Sequence, residues 1–190
     1  MDNDVLHEIE VKNKEIFINK LNLDLDNNNE ILSISCDNLI SLFKEETINK
    51  IFDIEKSMIN KENITLSVNN FYDIILTKMK ELISLRYTNL KEKITLIDNN
   101  YIDLLDNEKN NILEGIKKCF FDNVDVLIRN ISIKYNGNDI ERVSDYLKTI
   151  NYEKLINKIT ELFNNTNMIL LNNYNESLNK YNELNAKTIK

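Results

Sequence analysis

The sequence predicts a mainly α-helical fold, a bundle of about three to five long antiparallel helices with a small N-terminal β-hairpin element. Three observations support this fold class. The chain of 190 residues has no proline and two glycines, so little in it interrupts a helix. Hydrophobic residues make up 42% of it, which is enough to build a core. After residue 37 the apolar residues recur every three or four positions, which is typical of amphipathic helices.

The composition is biased towards Asn, Ile and Lys, with a single Ala and three Arg. The abundant residues have AT-rich codons and the scarce ones have mostly GC-rich codons. We therefore interpret the many Asn clusters as the mark of an AT-rich genome and assign them no chemistry of their own.

Residues 5–35 have a pattern that differs from the rest of the chain. Apolar residues alternate with polar ones along two runs, Leu21, Leu23 and Leu25, then Leu32 and Ile34. Alternation of this kind is typical of strands, and clusters of Asn and Asp between the runs are typical of hairpin turns. We therefore predict a small antiparallel sheet here.

This interpretation divides the chain into an N-terminal appendage, residues 1–36, and a helical bundle, residues 37–190. A helix over residues 3–20 is the alternative. It is supported by apolar residues that loosely fit a 3.6-residue period, namely Leu6, Ile9, Ile16 and Phe17.

Two helical stripes follow the predicted boundary. Asp37 is a suitable N-cap for the first, which runs to Met58 and is followed by a polar break at residues 60–63. Ser67 can cap the second stripe. The sequence leaves open whether residues 67–134 form one helix or two, because the candidate breaks at residues 98–100 and 103–111 have weak loop chemistry.

A clear boundary is predicted at residues 135–139. Gly137 can close one helix, and Asn138 with Glu141 can form a capping box for the next. The last helix then continues nearly to the end of the chain, with an irregularity predicted at residues 149–151. Heptads hold for only two or three turns, so a bundle is favoured over a long isolated coiled coil.

The charge pattern disfavours two classes of partner. The formal net charge is −7, and lysines are interleaved with acids throughout, so no basic surface for nucleic acid or anionic membrane is predicted. No run of 18 apolar residues exists, and the first four residues include two acids and no basic residue, where a signal peptide would be basic. We expect a cytoplasmic protein without membrane contact.

No catalytic, cofactor or metal site is predicted. His7 is the single histidine, and Cys36 and Cys119 lie too far apart for any metal or redox spacing, so we interpret them as reduced core thiols. The two glycine-rich motifs that bind phosphate groups, the P-loop and the dinucleotide-binding motif, each need several closely spaced glycines, which this chain lacks. We expect no enzymatic activity, no cofactor and no small-molecule substrate.

One run of oxygen-bearing residues resembles the start of a calcium-binding loop. The alternating residues are Asp24, Asp26, Asn28 and Glu30. However, Asn29 stands where such a loop needs Gly, and Ser35 stands where a bidentate Glu completes the ligand shell. We therefore interpret this segment as a solvated hairpin turn.

The last helix carries the candidate interface. Tyrosine combines large contact area with a polar tip, which suits interfaces. The candidate residues share one face of a helix with few charges, and they are Leu170, Tyr174, Leu178, Tyr181 and Leu184. The alternative is that these side chains pack within the chain's own bundle.

These observations predict a non-catalytic interaction or assembly protein that presents an amphipathic helix to a protein partner or to a second copy of itself. The alternative is an acidic inhibitor or mimic, of the kind that phages or other mobile elements encode, which would bind a basic site on its target. Acids concentrated on one face would favour the alternative, and acids balanced by lysines would not.

Overall fold

The computed structural model describes residues 2–54, 61–94, 100–132 and 140–189, and these are almost entirely helical, without a β-strand among them. The helices are α1 (Asn3–Ile54), α2 (Lys61–Lys93), α3 (Tyr101–Ser132), α4 (Ile140–Tyr146) and α5 (Tyr152–Ile189). A π-helical turn, Leu147–Asn151, joins α4 to α5 without a break, because the backbone on both sides of it keeps helical dihedral angles. The described residues therefore form four long helical rods.

The rods pack side by side with alternating direction. α1 lies against α2 and α5, and α3 also lies against α2 and α5. Asn13 contacts Asn185 at one end of the α1–α5 pair and Thr47 contacts Asn151 at the other, so these two helices are antiparallel. Contacts between α2 and α3 follow the same rule, because Leu82 lies beside Gly115 whereas Asn89 lies beside Glu108.

The buried positions recur every 11 residues. In α2 and the residue that follows it, the repeat relates three sets of buried residues, which are Ile64, Ile75 and Arg86, then Val68, Met79 and Leu90, then Tyr72, Ile83 and Ile94. Eleven residues in three turns correspond to about 3.67 residues per turn, which favours a slight right-handed supercoil over the left-handed supercoil that heptads produce. This period explains why heptads fit the sequence for only a few turns.

Two hydrophobic clusters fill the interior. The larger lies around Phe71, Tyr72 and Phe120 and extends to Ile131 in α3. The smaller contains Phe17 and residues from all four rods, among them Leu90, Leu105, Leu170 and Tyr174. A layer of polar residues separates the two clusters, with one residue from each rod, namely Asn28, Arg86, Glu108 and Asn167.

The hairpin predicted for residues 5–35 is not seen, because α1 is continuous over this segment. Leu21 and Leu25 are buried against the other rods, whereas Leu23 and Ile34 are more than half exposed on the opposite side. A helix with apolar residues on two sides has no single 3.6-residue stripe, and its sequence then resembles strand alternation.

The predicted boundary between residues 36 and 37 falls inside α1. Asp37 does not begin a helix there, since it lies mid-helix and forms an ion pair of 2.7 Å with Lys80 of α2. Ser67 likewise lies within α2, where its hydroxyl donates to the carbonyl of Asn63, four residues earlier. The two helix starts predicted from Asp37 and Ser67 as N-caps are therefore wrong.

The remaining boundary predictions have mixed outcomes. Residues 67–93 belong to α2 and residues 101–132 to α3, and the candidate break at residues 103–111 is helical within α3. Of the other candidate break, at residues 98–100, residues 98 and 99 lie outside the described residues. Gly137 and Asn138 lie outside the described residues. The irregularity predicted at residues 149–151 falls within the π-helical turn.

Candidate interaction surface

A line of large hydrophobic side chains lies on the outer side of α1. Each of them is between 53% and 64% exposed, and they are Ile16, Leu23, Ile31, Ile34 and Leu42. Their separations of 7, 8, 3 and 8 residues return each side chain to roughly the same side of a helix with 3.6 residues per turn. They form a largely apolar stripe, interrupted by Asn27 and Asn38, that the described residues leave exposed.

The stripe continues onto α5 across the groove between the two helices. Leu42 lines this groove with Leu162, and Ile16 lines it further along with Leu184. The α5 residue Ile169 lies 11 residues from both Lys158 and Lys180, which line the same groove, so the 11-residue period turns Ile169 towards it as well.

Ile169 is 49% exposed. It lies near the middle of the stripe along its length, because the carbonyl of Thr166, three residues earlier, accepts a hydrogen bond from Asn28 of α1. We call this surface the outer face, and its residues are Ile16, Leu23, Ile31, Ile34, Leu42, Ile169 and Leu184.

The charges near the outer face differ between its ends. Lys20 and Lys180 line the groove that contains Ile16 and Leu184. At the other end of α1, Glu45, Glu46 and Asp53 share the surface beside Leu42. The apolar stripe thus runs from a lysine-lined end to an end rich in carboxylates.

The interface residues predicted on α5 lie in several environments. Leu170 and Tyr174 are buried in the smaller cluster, where Tyr174 stacks on Tyr101 with 4.5 Å between ring centroids and meets Phe17 edge-on at 5.8 Å. Leu178 and Tyr181 are partly buried against the same cluster. Leu184 is 37% exposed and is the member of the predicted set that belongs to the outer face.

Sequence reasoning missed most of the outer face, although the sequence carries a signal for it. Leu23, Ile31 and Ile34 are the residues that disturb the helical period of α1 and suggest a strand. An apolar residue that breaks a helical stripe, in a helix that is otherwise well formed, marks a second apolar side.

The polar layer between the clusters is centred on Arg86, whose side chain is fully buried. Its guanidinium donates to the amide oxygens of Asn28 (3.3 Å) and Asn167 (2.8 Å) and lies 5.7 Å from the ring of Phe163. Burial lowers the pKa of Arg86 to about 10, while the nearby Tyr101 and Glu108 favour its charged form.

The Nε atom of Arg86 has no hydrogen-bond partner among the described residues. The guanidinium is shut off from solvent by all four rods, so no substrate reaches it. Its position supports a role in fixing how the helices align, since a buried charge is costly wherever its hydrogen-bond acceptors are missing.

A second polar cluster lies beside the π-helical turn. The buried hydroxyl of Thr47 is 3.2 Å from both the hydroxyl of Tyr72 and the amide oxygen of Asn151, and the amide nitrogen of Asn151 donates to Tyr72. Burial raises the pKa of Tyr72 to about 12 despite these hydrogen bonds. The phenol therefore stays protonated and serves as a structural hydrogen-bond partner.

Both cysteines are protonated thiols. Burial raises the pKa of Cys36 to about 12 and also raises the pKa of Cys119, so both stay thiols near neutral pH. The two cysteines are free and are not joined to each other. His7 is exposed near the start of α1, far along that helix from Cys36, whereas Cys119 lies in α3.

The run that resembles a calcium loop is part of α1, which corrects its interpretation as a hairpin turn. Asp24 pairs with Lys20 at 2.5 Å, whereas Asp26 accepts hydrogen bonds from Tyr87 and Lys91, which lower the pKa of Asp26. Successive alternate residues of a helix point in different directions, so these oxygens do not converge. Across the described ranges no group of three or more His, Cys, Asp or Glu side chains could hold a metal ion.

None of the described helices has an apolar stretch long enough to cross a membrane. Comparison of the sequence with protein-family models, and of the chain with curated proteins and solved structures, finds no match. The function is therefore inferred from the outer face, the internal polar layers and the distribution of charge.

Proposed function

We propose that this chain is a non-catalytic helical assembly protein that presents the outer face of α1 and α5 to a protein partner or to a second copy of itself. The observation that carries the proposal is the stripe of five exposed hydrophobic residues along α1. Isolated exposed apolar residues are normal on protein surfaces, whereas several of them aligned on one side of a helix are typical of a contact surface.

The interior of the bundle supports this proposal by giving the outer face a rigid base. Two hydrophobic clusters and two buried polar layers tie α1 to its neighbours along its length. A contact surface held on packed helices keeps its shape before binding, which lowers the entropic cost of association. The buried thiols and phenols described above act as packing groups in this scheme.

The cytoplasm is the compartment that we propose for this assembly. Cys36 and Cys119 are free thiols, and such cysteines persist in reducing compartments. The proposal concerns a protein contact, with no part for nucleic acid, cofactor or small-molecule substrate.

An acidic inhibitor or mimic is the second candidate, motivated by the net charge of −7. The pairing of charges on the surface favours assembly instead. Lysines bridge to acids on neighbouring rods, as in the pairs Lys44–Asp73 (2.5 Å) and Lys148–Asp125 (2.9 Å). A mimic of nucleic acid needs a face of one sign, and interleaved lysines weaken such a face.

A pair of matched double variants tests the proposal. Ile34→Asp with Leu42→Asp places two carboxylates on the outer face, whereas Leu66→Asp with Leu85→Asp makes the same change at equally exposed sites on α2. Light scattering after size exclusion measures self-association, and pull-down with the tagged chain measures partner binding. Circular dichroism checks that both variants keep their helix content.

We expect the outer-face variant to lose association and the α2 variant to keep it. If both double variants associate as the unmodified chain does, or if the unmodified chain neither self-associates nor binds a protein, the proposed function is wrong.

A further inference from the structure

We infer that the partner of the outer face is a second copy of this chain, packed antiparallel along α1 and related to the first by a two-fold axis that passes between Leu32 and Ser33. This inference rests on the proposed function and names its partner. It is carried by a symmetry in the exposed residues of α1, which become self-complementary when the helix is laid against an inverted copy.

The apolar residues show this symmetry first. With the axis at that position, Leu23 faces Leu42 of the second copy and Ile31 faces Ile34 of the second copy. Asn27 and Asn38 also oppose each other, and both are exposed between the apolar positions. A two-fold axis forms each of these contacts twice, as expected for an isologous dimer.

The charged residues agree with the same axis. Lys20 faces Glu45 of the second copy and Lys12 faces Asp53, and all four side chains are exposed. A parallel arrangement in register would instead oppose each of these charges with its own copy. Like charges directly opposed disfavour association, so the charge pattern selects the antiparallel arrangement.

Neighbouring registers lose the match. In an antiparallel pair, the residue numbers of two facing positions add up to the same value all along the contact. Sliding the second copy by about one turn in either direction changes that value and brings Leu42 opposite Asn27 or Asn19. Only the register described here pairs the leucines with each other while also pairing the lysines with acids. The exposed face of α1 thus specifies one alignment.

The size of the contact fits a reversible dimer. The segment from Lys12 to Asp53 is about 60 Å long at 1.5 Å per residue. A strip about 10 Å wide along it covers about 600 Å² on each copy, or about 1,200 Å² in total, which is the lower end of the range for specific interfaces. We therefore expect dimerisation that depends on protein concentration.

Cysteine cross-linking tests the alignment directly. In a Cys119→Ser background, the double variant Asn27→Cys with Asn38→Cys places two thiols opposite two thiols of the second copy. Either single variant leaves the two copies of its cysteine 11 residues apart along the helices, which is about 16 Å and too far for a disulfide. We expect mild oxidation to give covalent dimer from the double variant and little from either single variant.

Charge reversal gives an independent measurement. Lys20→Glu and Glu45→Lys should each weaken dimerisation by roughly three- to tenfold, because each change opposes like charges at two symmetric sites. Mixing the two single variants should restore dimerisation, since the mixed dimer again opposes Glu with Lys at both sites. Sedimentation equilibrium measures all four dissociation constants, including that of the unmodified chain.

Three results would overturn the inference. A chain that stays monomeric at high concentration while a different protein binds through Ile34 and Leu42 would refute self-association and leave the proposed function standing. Efficient cross-linking of a single variant would refute the antiparallel register. If Ile34→Asp with Leu42→Asp changes neither self-association nor binding of any protein, the inference and the proposed function both fail.

Discussion

Arg86 of α2 donates a hydrogen bond of 2.8 Å to the amide oxygen of Asn167 of α5, across the diagonal of the bundle. These two helices do not pack as neighbours. The same guanidinium also donates to Asn28 of α1, and Asn167 donates in turn to the carbonyl of Leu105 of α3. One polar layer therefore links all four rods at a single level and fixes their register.

The first prediction concerns the stability that depends on Arg86. Arg86→Met should lower the free energy of unfolding by about 2–4 kcal/mol, because it leaves the amide oxygens of Asn28 and Asn167 buried without a donor. Urea denaturation followed by circular dichroism measures the change.

A triple variant is the control for this interpretation. Arg86→Met combined with Asn28→Leu and Asn167→Leu removes the stranded oxygens together with the charge, so it should recover most of the lost stability. If the triple variant is less stable than Arg86→Met alone, the loss arises from packing and not from unpaired oxygens.

The second prediction is that stability falls at alkaline pH. Burial raises the pKa of Tyr72 and Tyr146 to about 12 and also raises the pKa of Tyr101, whereas an exposed tyrosine ionises near 10.0. Between those values the folded chain binds more protons than the unfolded chain, so the free energy of unfolding decreases as the pH rises.

Arg86 opposes this trend, because its lowered pKa means that the folded chain binds fewer protons than the unfolded chain above about pH 10. The three tyrosines outnumber it, so the net slope should be negative. Tyr72→Phe should make the slope between pH 10 and 12 shallower in thermal or urea denaturation. An unchanged slope would contradict the assignment to Tyr72.

The third prediction concerns the π-helical turn at Leu147–Asn151, which holds one residue more than an α-helical turn. Deleting Thr149, which is exposed, should convert the turn to regular α-helix and change stability by less than about 1 kcal/mol. Deleting Asn157, which is equally exposed within α5, should rotate one side of the rod by about 100° and cost more than about 3 kcal/mol.

Chemical denaturation of both deletion variants measures this difference. The comparison is informative because both deletions remove one exposed polar residue from the same rod. Equal losses of stability would mean that the π-helical turn is required for the packing of Asn151 against Thr47 and Tyr72.

The helical stripes of α2, α3 and α5 could be predicted from the sequence, because the buried residues of each of these helices, most of them apolar, recur every three or four positions. Even Arg86 falls on the predicted stripe of α2 by its spacing from Leu82 and Leu90. The hydrogen-bond acceptors of Arg86 could not be predicted. Asparagine is so abundant in this chain that nothing in the sequence distinguishes Asn28 and Asn167 from the other asparagines.

The candidate surface was harder to predict than the fold. An apolar residue contributes equally to a helical stripe whether a neighbouring helix buries it or leaves it exposed. Which helix lies beside it is determined by the fold and cannot be seen in the sequence pattern. Tyr174 therefore received the same interpretation as Leu184, although Tyr174 is buried by Tyr101 and Phe17. On α1 the two apolar sides overlapped in sequence and were interpreted as strand alternation.

The fourth prediction separates core from surface within the interface predicted on α5. Tyr174→Ala should lower the free energy of unfolding by about 3–5 kcal/mol, because it empties the space between Tyr101 and Phe17. Leu184→Ala should cost less than about 1 kcal/mol, since its side chain is 37% exposed and loses little buried area. Urea denaturation at a concentration where the chain is monomeric isolates these effects from association.

Because Leu184 belongs to the outer face, its substitution should weaken association more than it weakens folding, and Tyr174→Ala should act in the opposite way. Comparable losses of stability from the two substitutions would mean that Leu184 is as much a core residue as Tyr174.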